Sequence, residues 1–338
     1  MARRSGMVAN FRADTGAKLP AAVIVVMIIV FVTMAHVAGR PITWFNGYDI
    51  MQNFGELGWI TLGIALSMIA GEFDLSLPSL YYLGGAVAVL TGVGHPWLGV
   101  LAAVAVGIVS GGIQGAVVAK FRMSSVPVTL GGYIILLGIF FVVTGDKSIA
   151  YSNYDVGARL DQPIFRVFSI HSLIIVVLFV VVAAVLRYTR VGVVVRAVGG
   201  GRRASRVAGV SVDRTLIGIF IVSAAGTAFS GALLGYSTSA ATPNADLSPL
   251  IFAVTAAVLG GVRLEGGRGS LLGIAIGVIA LSMLQEGLVI INISDQLSEM
   301  VTGGLLAIVA LISAPDLRRR GFPGTRSAAV AAATPPPP

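Results

Sequence analysis

Ten apolar stretches alternate with short polar breaks along the chain, at 20–37, 54–71, 76–93, 97–119, 126–144, 170–187, 214–237, 247–262, 270–291 and 297–314. Each is read as a helix. About 20 apolar residues at a rise of about 1.5 Å cross a bilayer core, and a helix satisfies its own backbone polar groups there. The pattern predicts an all-α membrane protein, a polytopic bundle of about ten transmembrane helices. The second, third and eighth stretches are short or run into polar, glycine-rich turns, so broken or re-entrant helices are expected among them. Such backbone is tolerated at membrane depth where protein or a water-filled cavity satisfies it.

Charge sits in the breaks, unevenly. With the N-terminus on the cytoplasmic side, 19 of the 23 Lys and Arg fall on that side and 4 (Arg40, Lys147, Arg159, Arg166) on the other. That asymmetry sets orientation and parity together, because an odd number of crossings would split the basic clusters between the two faces. The expected organisation is a cytoplasmic N-terminal segment (1–19), a membrane domain (20–314) with a cytoplasmic loop at 188–213, and a cytoplasmic low-complexity tail (315–338). The run 20–37 is longer than a usual signal-peptide core and is read as an uncleaved first span. The expected location is the cytoplasmic (inner) membrane.

Composition narrows the function. Charged residues make up 11% and apolar residues 56%, with mean hydropathy +0.92; a soluble domain is about a quarter charged. The net charge of +8 is explained by loop topology, so the lipid bilayer is the expected partner and nucleic acid is not. There is no cysteine. The three lysines, Lys18, Lys120 and Lys147, do not follow glycine, so no Walker-type phosphate cradle is present. His36, His95 and His171 show no metal-binding spacing, and no Ser-His-Asp order is legible. Neither a metal nor a cofactor is expected on this chain, and a transport role is favoured over an enzyme.

Ionisable groups at membrane depth are costly and tend to mark pathways. Four stand out: Glu56, Glu72, Asp74 and Glu286. Glu286 lies about 24 Å along its helix from the basic end, next to Gln285. The polar residues Asn53, Asp74, Ser76, Gln114, Thr129, Gln285 and Glu286 are candidates for lining a translocation path. In IAGEFDLSLPSL (69–80), Asp74 and Ser76 suit the N-cap of a helix beginning near Leu77, with Pro78 in its first turn. GGVRLEGGRGSLLG (260–273) reads as a tight helix–helix reversal. GGGRRASRVAGVSVDR (199–214) is basic, with small residues interspersed. Residues 202–208 can form a short helix with Ala204, Val207 and Ala208 on one face, flanked by arginines. That face suits the cleft of a partner; the alternative is that the arginines only hold the loop inside.

These segments together resemble the membrane permease subunit of bacterial sugar ABC importers, of the ribose/xylose/galactoside type. The family's GGIDLSVGS is similar to GEFDLSLPS, matched at Gly71, Asp74, Leu75, Ser76 and Ser79; Glu72 and Pro78 stand where two glycines are usual. TLGGYIILLG matches at Thr129, Leu130, Gly131 and Gly138. The glycine-rich motif matches at Gly260, Gly261, Gly266, Gly267, Arg268, Gly269, Ser270 and Gly273. The segment that contacts the ATPase in that family is matched at Gly199, Gly200, Ala204, Gly209, Val212 and Arg214. Gly201 replaces a usual asparagine, and Arg202 and Arg203 replace residues that are often acidic. The resemblance covers about 45–314.

The resemblance implies a permease subunit that forms the translocation pathway for a monosaccharide. Its implied partners are a separate ABC ATPase that uses ATP, an extracytoplasmic sugar-binding protein, and a second copy of the chain or a paralogue. ATPase coupling would fall to Gly199, Gly200, Arg202, Arg203, Ala204, Val207, Ala208, Gly209, Val212 and Arg214. Alternatives are an ABC permease for branched-chain amino acids, nucleosides or a signalling furanose, and a proton-coupled secondary carrier.

Overall fold

The computed structural model describes residues 2–243 and 246–313, with side chains from Leu19 to Leu311. The expected tail at 315–338 lies outside the described residues. The elements are almost all helical: α1 (Ala2–Val37), α2 (Trp44–Ile69), α3 (Leu77–Thr91), α4 (Pro96–Lys120), α5 (Ser125–Thr144), α6 (Tyr154–Leu160), α7 (Ile170–Tyr188), α8 (Arg190–Gly200), α9 (Arg202–Val207), α10 (Val212–Ser237), α11 (Ser248–Leu259), α12 (Leu271–Ile290) and α13 (Asp295–Ser313). Two short strands, β1 (Ile149–Ala150) and β2 (Ala240–Ala241), pair antiparallel.

Each of the ten apolar stretches is a helix. Six helices among the described residues are long and apolar enough to cross a membrane: the 19–37 part of α1, α4, α5, α7, α10 and α12. The second stretch runs into the polar turn at Gly71 as expected, but its start needs correction: α2 has 26 residues and begins ten residues before the expected position. Its polar first turns were not read as helix because their side chains are satisfied by other segments, described below. The third and eighth stretches are indeed short. α3 has 15 residues and α11 has 12, so they extend about 22 and 18 Å, less than a bilayer core of about 30 Å.

α10 sits at the centre, packed against α2, α3 and α4, and α2 in turn packs against α7, α11 and α12. The most apolar part of α10 is 61% buried, whereas that of α5 is 17% buried and presents its surface outward. Close approach at the centre depends on small residues, as is usual where lipid removes the hydrophobic drive between helices. Gly107, Gly111 and Gly115 recur every fourth residue on α4, and a Cβ on Gly111 would come 2.4 Å from the Phe220 carbonyl oxygen of α10. Gly84 of α3 approaches Ala228 of α10 in the same way, at 2.4 Å.

Candidate functional site

Three glycine segments far apart in sequence meet at the end of the bundle that carries the arginine-rich loop. The first is Gly71, just past α2, with φ +79°. The second is Gly199–Gly200, the end of α8. The third is the turn between α11 and α12, where Gly266 and Gly267 have φ +84° and +73°. The Gly267 amide donates to the Ile69 carbonyl at 2.8 Å. A Cβ on Gly199 would lie 1.9 Å from that carbonyl oxygen, and one on Gly266 would lie 2.8 Å from the Gly71 Cα. The contact is backbone on backbone, which leaves no room for any side chain. Gly260 packs on the Gly273 carbonyl and Gly269 on the Ile69 side chain. Ser270 caps α12 by accepting from the Gly273 amide at 3.4 Å. The Arg268 side chain is exposed, and its carbonyl accepts from the Arg263 amide, closing the turn together with Gly261 at φ +84°.

α9 stands on this junction as the short helix expected over 202–208, ending one residue earlier, with Ala208 as its C-cap. Ser205 faces inward, is buried, and donates to the Ala197 carbonyl at 2.8 Å. Ala204, Val207 and Ala208 are exposed, Val207 by 86%. Arg203 and Arg214 are exposed, and Arg206 meets Asp213 at 3.1 Å. Val212 is buried at the start of α10, and Gly209 breaks the chain between the helices with φ +81°. Arg202 alone turns inward, where its guanidinium pairs with the carboxylate of Glu72. Glu72 is 4% exposed. Burial pushes its carboxyl above the ordinary value, opposed by a hydrogen bond with Ser125 and by the Arg202 charge.

Next to Glu72 the chain between α2 and α3 forms a polar cluster. Ser76 is the N-cap of α3, with Leu77 and Pro78 in the first turn as expected, but no side-chain cap hydrogen bond forms. Asp74 Oδ1 instead accepts from the Ser76 amide at 3.0 Å and the Ser76 hydroxyl at 2.6 Å. Gln114 of α4 donates to Ser76 Oγ at 3.0 Å. Thr129 of α5 accepts from the Leu75 amide at 3.1 Å. Asp74 Oδ2 and Gln114 Oε1 are buried without a hydrogen-bond partner among the described residues.

The remaining pathway candidates meet elsewhere, toward the start of α2. Asn53 Nδ2 donates to Gln285 Oε1 at 2.8 Å, and Asn46 Nδ2 donates to Glu286 Oε1 at 2.8 Å. The structure therefore divides the seven candidates into one group of four and one of three. About 24 Å of α2, from Asn53 to Ile69, separates the second group from the α2–α3 turn. Near the start of α2, a cavity of about 500 Å³ is lined by Trp44, Phe45, Tyr48, Pro163 and Arg166, with none of the seven candidates among its walls. Asn46, Ser125, Gln52 and Asp161 were not singled out from sequence. Gln52 donates to Asp161 Oδ1 at 2.8 Å and Ser237 to Asp161 Oδ2 at 2.5 Å. An amide-rich first turn, FNGYDIMQN, was the available signal.

Comparison with known proteins agrees with this architecture. The chain is 27% identical to the L-arabinose ABC transporter permease protein AraH of Azospirillum brasilense over 86% of each chain. It is 29% identical to a probable ABC transporter permease of Sinorhizobium fredii over 94% of each. It is 26% identical to the ribose import permease protein RbsC of Escherichia coli, over 86% of this chain and 92% of that one. No solved structure matches. The family described as branched-chain amino acid transport system / permease component matches residues 48–310, which takes in the glycine junction, α9 and both polar groups. A helical membrane bundle matched across that whole span belongs to this family of transport permeases.

Proposed function

We propose that this chain is the transmembrane subunit of an ATP-driven importer of a monosaccharide, with a pentose as the first substrate to test. The observation that carries the reading is α9: a helix end with small exposed side chains, Ala204, Val207 and Ala208, mounted on a glycine junction that has no slack. Small apolar residues seat a helix closely in a cleft, and the neighbouring exposed Arg203 and Arg214 meet carboxylates around it. The cleft belongs to a separate ATPase subunit on the cytoplasmic side, a reading supported by the excess of arginines in the loops of this end. A soluble sugar-binding protein delivers substrate at the other end. Two copies of the chain, or the chain and a paralogue, enclose the path. This chain hydrolyses no ATP and holds no cofactor.

The pentose follows from the printed substrates of two relatives, L-arabinose and ribose. The two polar groups supply hydroxyl contacts along the route: Asn53, Gln285 and Glu286 near one end, and Asp74, Ser76, Gln114 and Thr129 near the other. The unpartnered acceptors Asp74 Oδ2 and Gln114 Oε1 suit a ligand rich in O–H donors. The test is reconstitution in liposomes with a partner ABC ATPase and a sugar-binding protein. Uptake of labelled L-arabinose or ribose is expected when ATP and all three proteins are present. Uptake by this chain alone, driven by a proton gradient, would overturn the reading.

A further inference from the structure

We propose that Glu72 and Arg202 are positioning residues that tie α9 to the α2–α3 turn, so that movement of α9 is delivered to the start of α3. The inference rests on the reading of α9 as the helix that meets the ATPase.

Three side chains of α9 make polar bonds to other segments. Ser205 bonds to Ala197 and Arg206 to Asp213, eight and seven residues away. Arg202 reaches Glu72, 130 residues away. The first two attach α9 to the helices it is already joined to through the chain. The third alone reaches a different part of the bundle.

The two ion pairs also differ in environment. Arg206 and Asp213 are 41% and 53% exposed, so their attraction is screened and weak. Glu72 is 4% exposed and Arg202 37% exposed. A carboxylate removed from water is costly unless it is paired, so α9 does not leave Glu72 freely. This complements the glycine junction beneath α9. Close packing resists approach but offers little against separation, whereas an ion pair resists separation. Together they let α9 push and pull.

What is pulled reaches three helices. Directly after Glu72, the Phe73 amide donates to Ser125 Oγ of α5 at 3.0 Å. The Leu75 amide donates to Thr129 of α5, and Ser76 accepts from Gln114 of α4, just before α3 begins. The pair also accounts for two departures from the motifs the chain resembles, an acid at position 72 and a base at position 202, as one change.

The test uses the complete complex in liposomes and reads sugar uptake per ATP hydrolysed. Glu72→Gln and Arg202→Gln are each expected to lower that ratio about tenfold. The double variant should be no worse than either single one, and Arg202→Lys should retain most of the ratio. Arg206→Gln, on the same helix, should leave it unchanged. Singles with the wild-type ratio, or a double that multiplies two losses, would overturn the proposal. If Glu72→Gln fails to fold, the variants of the more exposed Arg202 decide. Ala204→Glu separates the two levels of the argument. If it uncouples while Glu72→Gln and Arg202→Gln do not, the link is wrong and the ATPase contact stands. If none of them uncouples, both fail.

Discussion

The two ends of this bundle are held in different ways. At the arginine-rich end, Gly71, Gly199, Gly266 and Gly267 press backbone against backbone, with a single amide of Gly267 bonded to Ile69. At the other end, α2 is joined to α12 and the loop before α7 through side chains: Asn53 to Gln285, Asn46 to Glu286, Gln52 to Asp161. Backbone contacts have no rotamers to change, so the first end moves as a block. Side-chain bonds between amides and carboxylates can be exchanged for bonds to water or a sugar hydroxyl at little net cost. On the function proposed above, the first end would transmit a displacement and the second would open around a ligand.

The largest effect should come from filling the junction. Gly199→Val places a branched side chain where even a Cβ would lie 1.9 Å from the Ile69 carbonyl oxygen. A loss of about 3 kcal/mol or more is expected, read as a lower melting temperature in detergent. A Gly199→Val protein that melts like the wild type would mean that the junction is not tight. Next is Ala204→Glu, on the exposed face of α9: its melting temperature should match the wild type while ATP-driven uptake falls about tenfold. Gly209 is a poorer probe of the same contact, because its φ of +81° strains any side chain placed there.

At the opposite end smaller changes are expected. Asn53→Ala removes the donor to Gln285 and should cost about 0.6 kcal/mol of stability, the usual scale for a side-chain bond between membrane helices. Its effect on the half-saturating sugar concentration should be larger than its effect on melting. The reverse ranking would make this bond structural and sharpen the contrast between the ends. Smallest of all, Arg206→Gln removes the exposed pair with Asp213 and should change melting by no more than about 0.5 kcal/mol. A bigger drop would show that the surface of the loop contributes to the block.

Much of this was legible in the residues. Apolar stretches located ten of the helices, α1 to α5, α7 and α10 to α13, although α3 and α11 fall short of the about 20 residues that a bilayer core demands. The helix over 202–208 and the reversal within 260–273 were legible from small residues and glycines at turn spacing. The start of α2 was not. Asn46, Gln52 and Asn53 look like loop residues until Glu286, Asp161 and Gln285 are brought beside them. Nor could the spacing of Asp74 and Ser76 say that Asp74 would bond to Ser76 itself and leave α3 without a side-chain cap.

Local pattern thus determined which apolar segments are helices, and the loop arginines set the expectation of which end each faces, since both follow from the transfer of single residues between water and lipid. The meeting of Gly71, Gly199 and Gly266, the pairing of Glu72 with Arg202, and the division of the polar residues into two groups were decided only in three dimensions. Those contacts join residues that chain spacing leaves independent, and their energy exists only once the helices have packed.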